Sequence, residues 1–248
     1  MIQSAVFQFF LTLNDFLPAT NKYKPFRYNF KGTPAIKDAI EAIGIPHTEV
    51  DFIIVNGSPV NFTFKLTNND TVEVYPANAN TPFVKSHSLS PTLNYPITFV
   101  ADVQVGRLAR ALRILGFDTL YKNDFSDKFI VEIAEIEQRV VLTRDIGLLK
   151  HKSIKWGYWL RSQTVEKQLQ EVVNRFNLLP EVSLFQRCLS CNGEIKKVEK
   201  ESVLKELPPK TIQFFDDFFQ CSRCKKIYWK GSHYEHMLEM VKRNLSMD

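Results

Sequence analysis

Two short cysteine pairs constrain this chain more than any other feature. Cys188-Leu-Ser-Cys191 and Cys221-Ser-Arg-Cys224 are C-x2-C knuckles separated by 29 residues, and together they use every cysteine in the sequence. Paired knuckles can gather four thiolates around one Zn²⁺ in a closed tetrahedron. Such an ion stabilises the fold and has no open position for catalysis. A redox dithiol would need only one pair. Asn192-Gly193 and Lys225-Lys226 follow the two knuckles and fit the turns of a zinc ribbon. The intervening stretch is longer than a minimal ribbon, and Glu199–Pro209 reads as a short helical insertion. Four cysteines in 248 residues are too few for a secreted disulfide scaffold. No apolar run approaches the ~18 residues of a membrane span. The opening Met1-Ile-Gln-Ser4 lacks the basic n-region of a signal peptide. A cytoplasmic protein that makes no use of a membrane is expected.

The net charge of +5 is not spread evenly. Residues 1–96 are neutral, 97–184 carry +2 and 185–248 carry +3. A polyanionic partner should therefore meet the later two-thirds of the chain. Prolines 76, 82, 91 and 96 lie among small and polar residues, which disfavours a packed element there. The expected division is a domain over 1–78, a linker over 79–96, a second domain over 97–184, and a ribbon with its tail over 185–248.

The first domain reads as strand, strand, helix, strand, strand. Ala5–Leu11, Phe26–Phe30, Val50–Val55 and Thr71–Tyr75 are rich in β-forming residues. Thr33-Pro34 looks like an N-cap followed by Pro at the first helical position, and Ile36, Ala39, Ile40 and Ile43 recur at helical spacing before Gly44. Asn56-Gly57 signals a hairpin. One helix crossing a small mixed sheet is a β-grasp arrangement. Through Gly44–Asp51 and Val55-Asn-Gly57 the segment resembles ubiquitin-like domains of the sulfur-carrier type. Those carriers act through a C-terminal Gly-Gly tail. Here Tyr75-Pro76 and a long further chain follow instead, so the expected role is docking to a protein partner.

Past the linker the period changes. Ile97–Ala101 is an apolar strand ending at Asp102. Val105, Leu108, Ala109, Leu112 and Leu115 then mark an amphipathic helix stopped by Gly116. Asp118–Tyr121 is a brief strand, and Ser126 caps a helix that turns Phe129, Ile130, Ile133 and Ala134 inward. Arg139–Thr143 and Ile154–Leu160 are further strands, and Thr164 caps a helix running to Phe176. Strands alternating with helices predict a parallel α/β/α sheet. In such sheets ligands bind beyond the carboxyl ends of the strands. Asp102 and Asp145 occupy strand ends, Asp127 opens a helix, and Asp124 is close by in sequence. Singly, each aspartate also suits a turn or an N-cap. Together they suit Mg²⁺ or Mn²⁺, which would relieve their mutual repulsion.

Four blocks carry a family likeness: Phe99-Val-Ala-Asp102, Gly106-Arg-Leu-Ala-Arg-Ala-Leu-Arg113, Leu115-Gly-Phe-Asp118 and Leu142-Thr-Arg-Asp145-x-x-Leu-Leu-Lys150. They resemble the PIN-like nuclease domain first noted at the C-terminus of mutator-type exonucleases. Members of that family carry a terminal zinc ribbon, and some have a β-grasp domain in front. The resemblance implies a metal-dependent ribonuclease acting on single-stranded RNA, with Asp102, Asp127 and Asp145 as carboxylates holding Mg²⁺ or Mn²⁺. The fourth acid usual in PIN domains has no clear match, and Asp124 stands in for it.

Arg107, Arg110 and Arg113 step by three along the first helix of this domain. They are either a solvated face or phosphate contacts, with Arg107 nearest the expected crevice. Arg144 and Lys150 flank Asp145 and can offset charge at a scissile phosphate. After the second knuckle, Tyr228 and Trp229 are either the last strand of the ribbon or a stacking surface for bases beside Lys225, Lys226 and Lys230. His233 is a proton donor or phosphate ligand, and His236 belongs to a surface helix. The rival reading is a non-catalytic adaptor that binds RNA or ribosomes, with structural zinc and structural carboxylates.

Overall fold

A computed structural model describes residues 2–76 and 87–245. The N-terminal strands are β1 (Ile2–Phe9), β2 (Phe26–Lys31), β3 (Val50–Val55), β4 (Ser58–Val60) and β5 (Thr71–Pro76), with helix α1 (Ile36–Ile43) between β2 and β3. The central elements are β6 (Phe99–Ala101), α2 (Gly106–Ile114), β7 (Thr119–Leu120), α3 (Asp127–Ile136), β8 (Val140–Thr143), α4 (Ile146–Leu149), β9 (Gly157–Trp159) and α5 (Val165–Phe176). The C-terminal elements are β10 (Ile195–Val198), α6 (Lys200–Val203), α7 (Pro209–Phe214), β11 (Phe218–Cys221), β12 (Ile227–Trp229) and α8 (Ser232–Leu245). The architecture is therefore α/β: an N-terminal mixed sheet, a central parallel sheet and a C-terminal antiparallel sheet.

By compactness the chain separates into two units, one of Met1–Asn94 with Ser126–Trp159 and one of Tyr95–Phe125 with Leu160–Asp248. In the first unit the mixed sheet has the order β2-β1-β5-β3-β4. β1 and β5 are parallel neighbours, and the other pairings are antiparallel. This is the expected β-grasp. Phe7, Phe9, Leu13, Ile36, Ile40, Ile53 and Val72 are buried in one cluster, so the apolar stripe of α1 covers one sheet face. At about 1.5–3 kcal/mol for each large apolar side chain removed from water, this cluster dominates the stability of the sheet.

Two readings of this region shift. The helix begins at Ile36, and Ala35 is extended with no side-chain cap. The cause lies across the fold: Ala35 bridges Lys65, and the carbonyl of Pro34 accepts from Leu66 N–H. That pairing holds Thr33-Pro34 out of the helix. A fifth strand, β4, follows the Asn56-Gly57 turn and pairs with β3 from Val55↔Ser58 to Ile53↔Val60. Pro59 masks it in the sequence, since Pro is tolerated only at a sheet edge, and β4 is the edge strand.

Residues 77–86, which include the first part of the expected linker over 79–96, lie outside the described residues. The stretch after them is pinned: Leu89 N–H donates to the Asp51 carbonyl at 2.7 Å, and Ser90 N–H to Asp51 Oδ1 at 2.9 Å. Leu89 also packs against the β-grasp core. In the same unit β8 and β9 run parallel, and β9 lies against the β-grasp segment. Trp159 N–H donates to Glu49 Oε1 at 2.7 Å, and the Trp159 ring packs on Phe16 with centroids 4.8 Å apart. Helix α3 is capped as expected, with Ser126 Oγ accepting from Phe129 N–H. Phe129 itself is 39% exposed, and Val131 takes the inward place beside Ile130 and Ala134.

In the second unit β6 and β7 run parallel. Helix α2 buries Leu108, Ala109 and Leu112 as its periodicity predicts, and Phe99 contacts both Phe117 and Phe176 edge-on. The ribbon sheet has the order β10-β11-β12, all antiparallel. Helix α6 lies in the expected insertion between the knuckles, α7 carries it on to Phe214, and Val203, Leu207 and Phe218 make a small core.

Candidate metal centre and nuclease residues

The ribbon brings Cys188, Cys191, Cys221 and Cys224 together, with their sulfurs within 4.8 Å of one another. All four are free thiols. Cys188 Sγ lies 3.6 Å from Cys224 Sγ, and Cys191 Sγ lies 3.4 Å from Cys221 Sγ. A Zn–S bond of about 2.3 Å implies tetrahedral edges of about 3.8 Å, whereas a disulfide needs about 2.05 Å. The donor set and its spacing fit a structural zinc.

The surrounding groups prepare the thiols for a cation. Backbone N–H groups of Arg223 and Cys224 each donate to Cys221 Sγ at 3.4 Å, and the Tyr228 hydroxyl lies 3.1 Å from Cys188 Sγ. Burial alone would raise the Cys188 thiol, but the Tyr228 hydroxyl and the Cys191 and Ser190 N–H groups outweigh it and bring it down to about 6. Burial pushes Cys191 the other way, up to about 12, against a hydrogen bond from Gly193 N–H. Metal binding would have to displace that proton. Gly193 sits where a Cβ would lie 2.9 Å from Cys221 Sγ and 3.0 Å from Arg223 Cβ, so a side chain there would crowd the centre.

The first knuckle is tied to the second unit's α/β elements by two buried polar residues. Arg113 is 3% exposed. Its Nε donates to the Thr119 carbonyl at 3.0 Å, and one terminal nitrogen donates to the carbonyls of Leu189 at 3.1 Å and Ser190 at 3.3 Å. Burial lowers the Arg113 guanidinium from its ordinary value, against the pull of Cys188, Cys191 and Asp118. Asn192 accepts from Thr119 N–H at 3.0 Å and donates to Asp118 Oδ1 at 2.7 Å. Arg113 is thus not on the exposed face expected for it. Three residues rotate an α-helix by about 300°, so each step falls back about 60° and the third arginine turns into the core.

The carboxylates divide between the units. In the second, Asp102 follows the carboxyl end of β6 and is 4% exposed, and Asp124 is exposed in the loop after β7. A short 3-10 turn, Val103–Val105, leads from Asp102 to α2, and Gly106 at the start of the helix admits the Tyr121 ring, which a Cβ there would overlap. In the first unit, Asp127 is the exposed first residue of α3, and Asp145 follows the carboxyl end of β8. Asp145 caps the short α4: its Oδ1 accepts from Gly147 N–H at 2.7 Å, and its own N–H donates to Thr143 Oγ1 at 2.9 Å. Residues 97–241 match the family described as Mut7-C RNAse domain, which covers more than half of the chain.

The chain belongs to the Mut7-C RNase family. Residues 2–81 match a second family, Mut7-C ubiquitin, over the β-grasp segment. Searches of curated proteins and of solved structures returned no match. A Mut7-C RNase domain implies a ribonuclease and hence an RNA substrate. Among the described residues, no helix is long and apolar enough to cross a membrane.

The basic residues of this RNase domain take different positions. Arg107 and Arg110 are exposed on α2, and His233 is exposed in the first turn of α8, with His236 exposed beyond it. Arg144 is half-buried with its Nε unpartnered, while its carbonyl accepts from Trp159 Nε1 at 3.1 Å. Lys150 reaches the other way, and its Nζ donates to the Glu41 carbonyl at the end of α1 at 2.7 Å. His47 joins the same contact, with Nδ1 2.6 Å from Glu41 Oε1 and Nε2 2.9 Å from the Ile154 carbonyl. Sequence reasoning missed the bonds of His47 and the roles of Arg113, read as a solvated-face or phosphate residue, and of Asn192, read only as a turn. The only signal for Asn192 was its place after a knuckle; Arg113 and His47 are paired with groups 76 or more residues away.

Proposed function

We propose that this protein is a metal-dependent endo- or exoribonuclease whose carboxylates Asp102, Asp127 and Asp145 hold Mg²⁺ or Mn²⁺, with Asp124 as the fourth candidate. One observation carries the reading: within a matched RNase domain, Asp102 and Asp145 each lie just past the carboxyl end of a parallel strand, where open α/β sheets place their ligands. An all-oxygen donor set suits these hard cations. The bound ion would supply Lewis acidity at the scissile phosphodiester.

The chain's own residues have the remaining tasks. The Asp145 carboxylate is held by Gly147 N–H, so its orientation is fixed before substrate arrives. Arg107 and Arg110 offer planar guanidinium forks to phosphate oxygens. Arg144 has an unpartnered Nε beside Asp145 and offsets charge gathering in the transition state. Lys150 retains two further N–H donors after serving Glu41. His233 offers a ring nitrogen for phosphate binding or proton transfer. The RNase family match supports RNA as the substrate, and the proposed form is single-stranded, with its backbone and bases accessible.

The ubiquitin-like segment lacks a terminal Gly-Gly and serves as a docking part for a protein partner. Its own contacts to β9 and Lys150 fit a scaffold. Four reduced cysteines in a zinc centre fit a cytoplasmic setting. The domain reading 1–78, 97–184 and 185–248 stands as part of this proposal. The test is direct: purified protein with Mn²⁺ cuts labelled single-stranded RNA, and Asp102→Asn does not. Equal cutting by that variant would refute the site.

A further inference from the structure

We infer that helix α2 and the zinc ribbon form one continuous track for the phosphate backbone of a single strand, running from Arg107 and Arg110 to Lys226 and Lys225. The inference rests on the ribonuclease reading and names where the RNA lies beyond the candidate carboxylates.

The track begins on α2, just beyond Asp102. Arg107 and Arg110 are exposed and three residues apart, about 4.5 Å along the helix axis. The next arginine in the series does not continue the exposed row. Arg113 turns inward, and its guanidinium is used on carbonyls of Thr119, Tyr121, Leu189 and Ser190. What reaches the surface at this step is therefore the first knuckle, held to α2 by that arginine. Ser190 is exposed there, and its hydroxyl accepts from Lys226 Nζ at 3.1 Å. Lys226 Nζ also lies 5.9 Å from the Tyr228 ring centroid. Its ammonium is thus fixed at the knuckle, with two N–H donors still open to a phosphate. Lys225 follows at the left-handed turn, exposed, with its Nζ donating only to the Ser222 carbonyl.

The cations of the track differ from those paired on β10 and α6. Lys196 pairs with Glu194, Lys197 with Asp217 and Lys200 with Asp216. Arg107, Arg110, Lys225 and Lys226 have no carboxylate partner among the described residues. The ribbon neutralises its lysines on β10 and α6, while Lys225 and Lys226, beside the knuckle that Arg113 holds, are unpaired among the described residues, as are Lys205 and Lys210. Unpaired, partly ordered cations in a row are what a polyanion needs, because each can release a condensed counterion from the strand. The bonds through Arg113 keep the two halves of the row in register, so the strand would meet a preformed surface.

The test measures RNA affinity in the full-length chain carrying Asp145→Asn, so that the strand stays uncut. A fluorescein-labelled single-stranded RNA is titrated at several salt concentrations. Lys225→Glu with Lys226→Glu should weaken binding about tenfold or more at 0.1 M salt. Losing two contacts should also reduce the slope of log affinity against log salt by about 1.4. Lys196→Glu with Lys197→Glu, which alters already paired lysines, should change affinity less than about twofold. Zinc content measured on every variant checks that the ribbon is intact. Should the glutamate pair lose zinc, Lys225→Gln with Lys226→Gln replaces it and must show the same loss of slope. Unchanged affinity and slope in the Lys225/Lys226 variants would overturn the track, as would equal losses in the two lysine pairs. If the lysines served only to offset zinc–thiolate charge, zinc retention would fall and RNA affinity would not. The two readings also fail separately. A chain that binds along this track but never cuts RNA contradicts the nuclease, and one that cuts RNA with affinity indifferent to Lys226 contradicts the track.

Discussion

Arg113 donates to the carbonyl of Leu189 at 3.1 Å, joining the helix that follows Asp102 to the first zinc knuckle. One buried guanidinium thereby serves both the α/β elements and the metal centre. Its charge also lies beside Cys188 and Cys191, two of four thiolates that, with one zinc ion, would carry a net −2.

Arg113→Ala should therefore weaken both parts. Hydrogen bonds from a charged donor are worth about 1.5–3 kcal/mol each, and the variant leaves buried carbonyls unpaired. Thermal melting should fall by several degrees, and a chelator should remove zinc faster than from the parent chain. Arg113→Lys cannot reproduce the fork and should recover only part of the loss.

The four-cysteine cluster predicts about one Zn per chain. Cys221→Ser should abolish it, because Cys221 Sγ accepts two backbone N–H bonds that organise the second knuckle. Gly193→Ala should reduce zinc affinity while keeping all four thiols, because its methyl group would press on Cys221 Sγ and Arg223. Metal analysis after dialysis against a graded chelator series distinguishes the two.

A pH effect follows from Glu41. Burial would raise its carboxyl, but the hydrogen bond and charge of His47, with Lys37 adding, hold it below its ordinary value of 4.5. The unfolded chain then binds more protons than the folded one in the acid range. Stability from this pair is full above the ordinary value and is lost as pH falls through the depressed one. Denaturant unfolding followed between neutral pH and the acid limb should show that loss, and Glu41→Gln should flatten it.

Arg107→Ala tests the phosphate reading on α2. Arg107 is exposed, so melting should be unchanged within a few degrees while KM for RNA rises about tenfold or more, as expected for a lost charge-assisted contact. An unchanged KM would return Arg107 to the solvated face of the helix.

How much of this could be read beforehand depends on how local each signal is. The two knuckles, the stripe of α2 and the Ser126 cap are encoded within a few residues, and all three form as expected. Thr33-Pro34 misleads because Ala35 pairs with Lys65 on the far side of α1. Arg113 misleads because three-residue spacing on a helix looks like one face but rotates away from it. The contact of Glu41, His47 and Lys150 joins groups more than 100 residues apart, apart from the Glu41–His47 pair itself, and no local pattern announces it. The candidate carboxylates rest on their places at strand ends and a helix start, which are local features, and on family likeness; a shared metal site is not a local feature and stays part of the proposal.

The most direct test is cleavage of single-stranded RNA by the purified chain in Mn²⁺, compared with Asp145→Asn. Asparagine can keep the Oδ1 bond to Gly147 N–H, so the variant should fold and retain its zinc. The account predicts that cutting falls by at least about a hundredfold, beyond the 10–100-fold typical of groups one step removed from a metal. Cutting at the parent rate by a folded, zinc-loaded Asp145→Asn chain would contradict it.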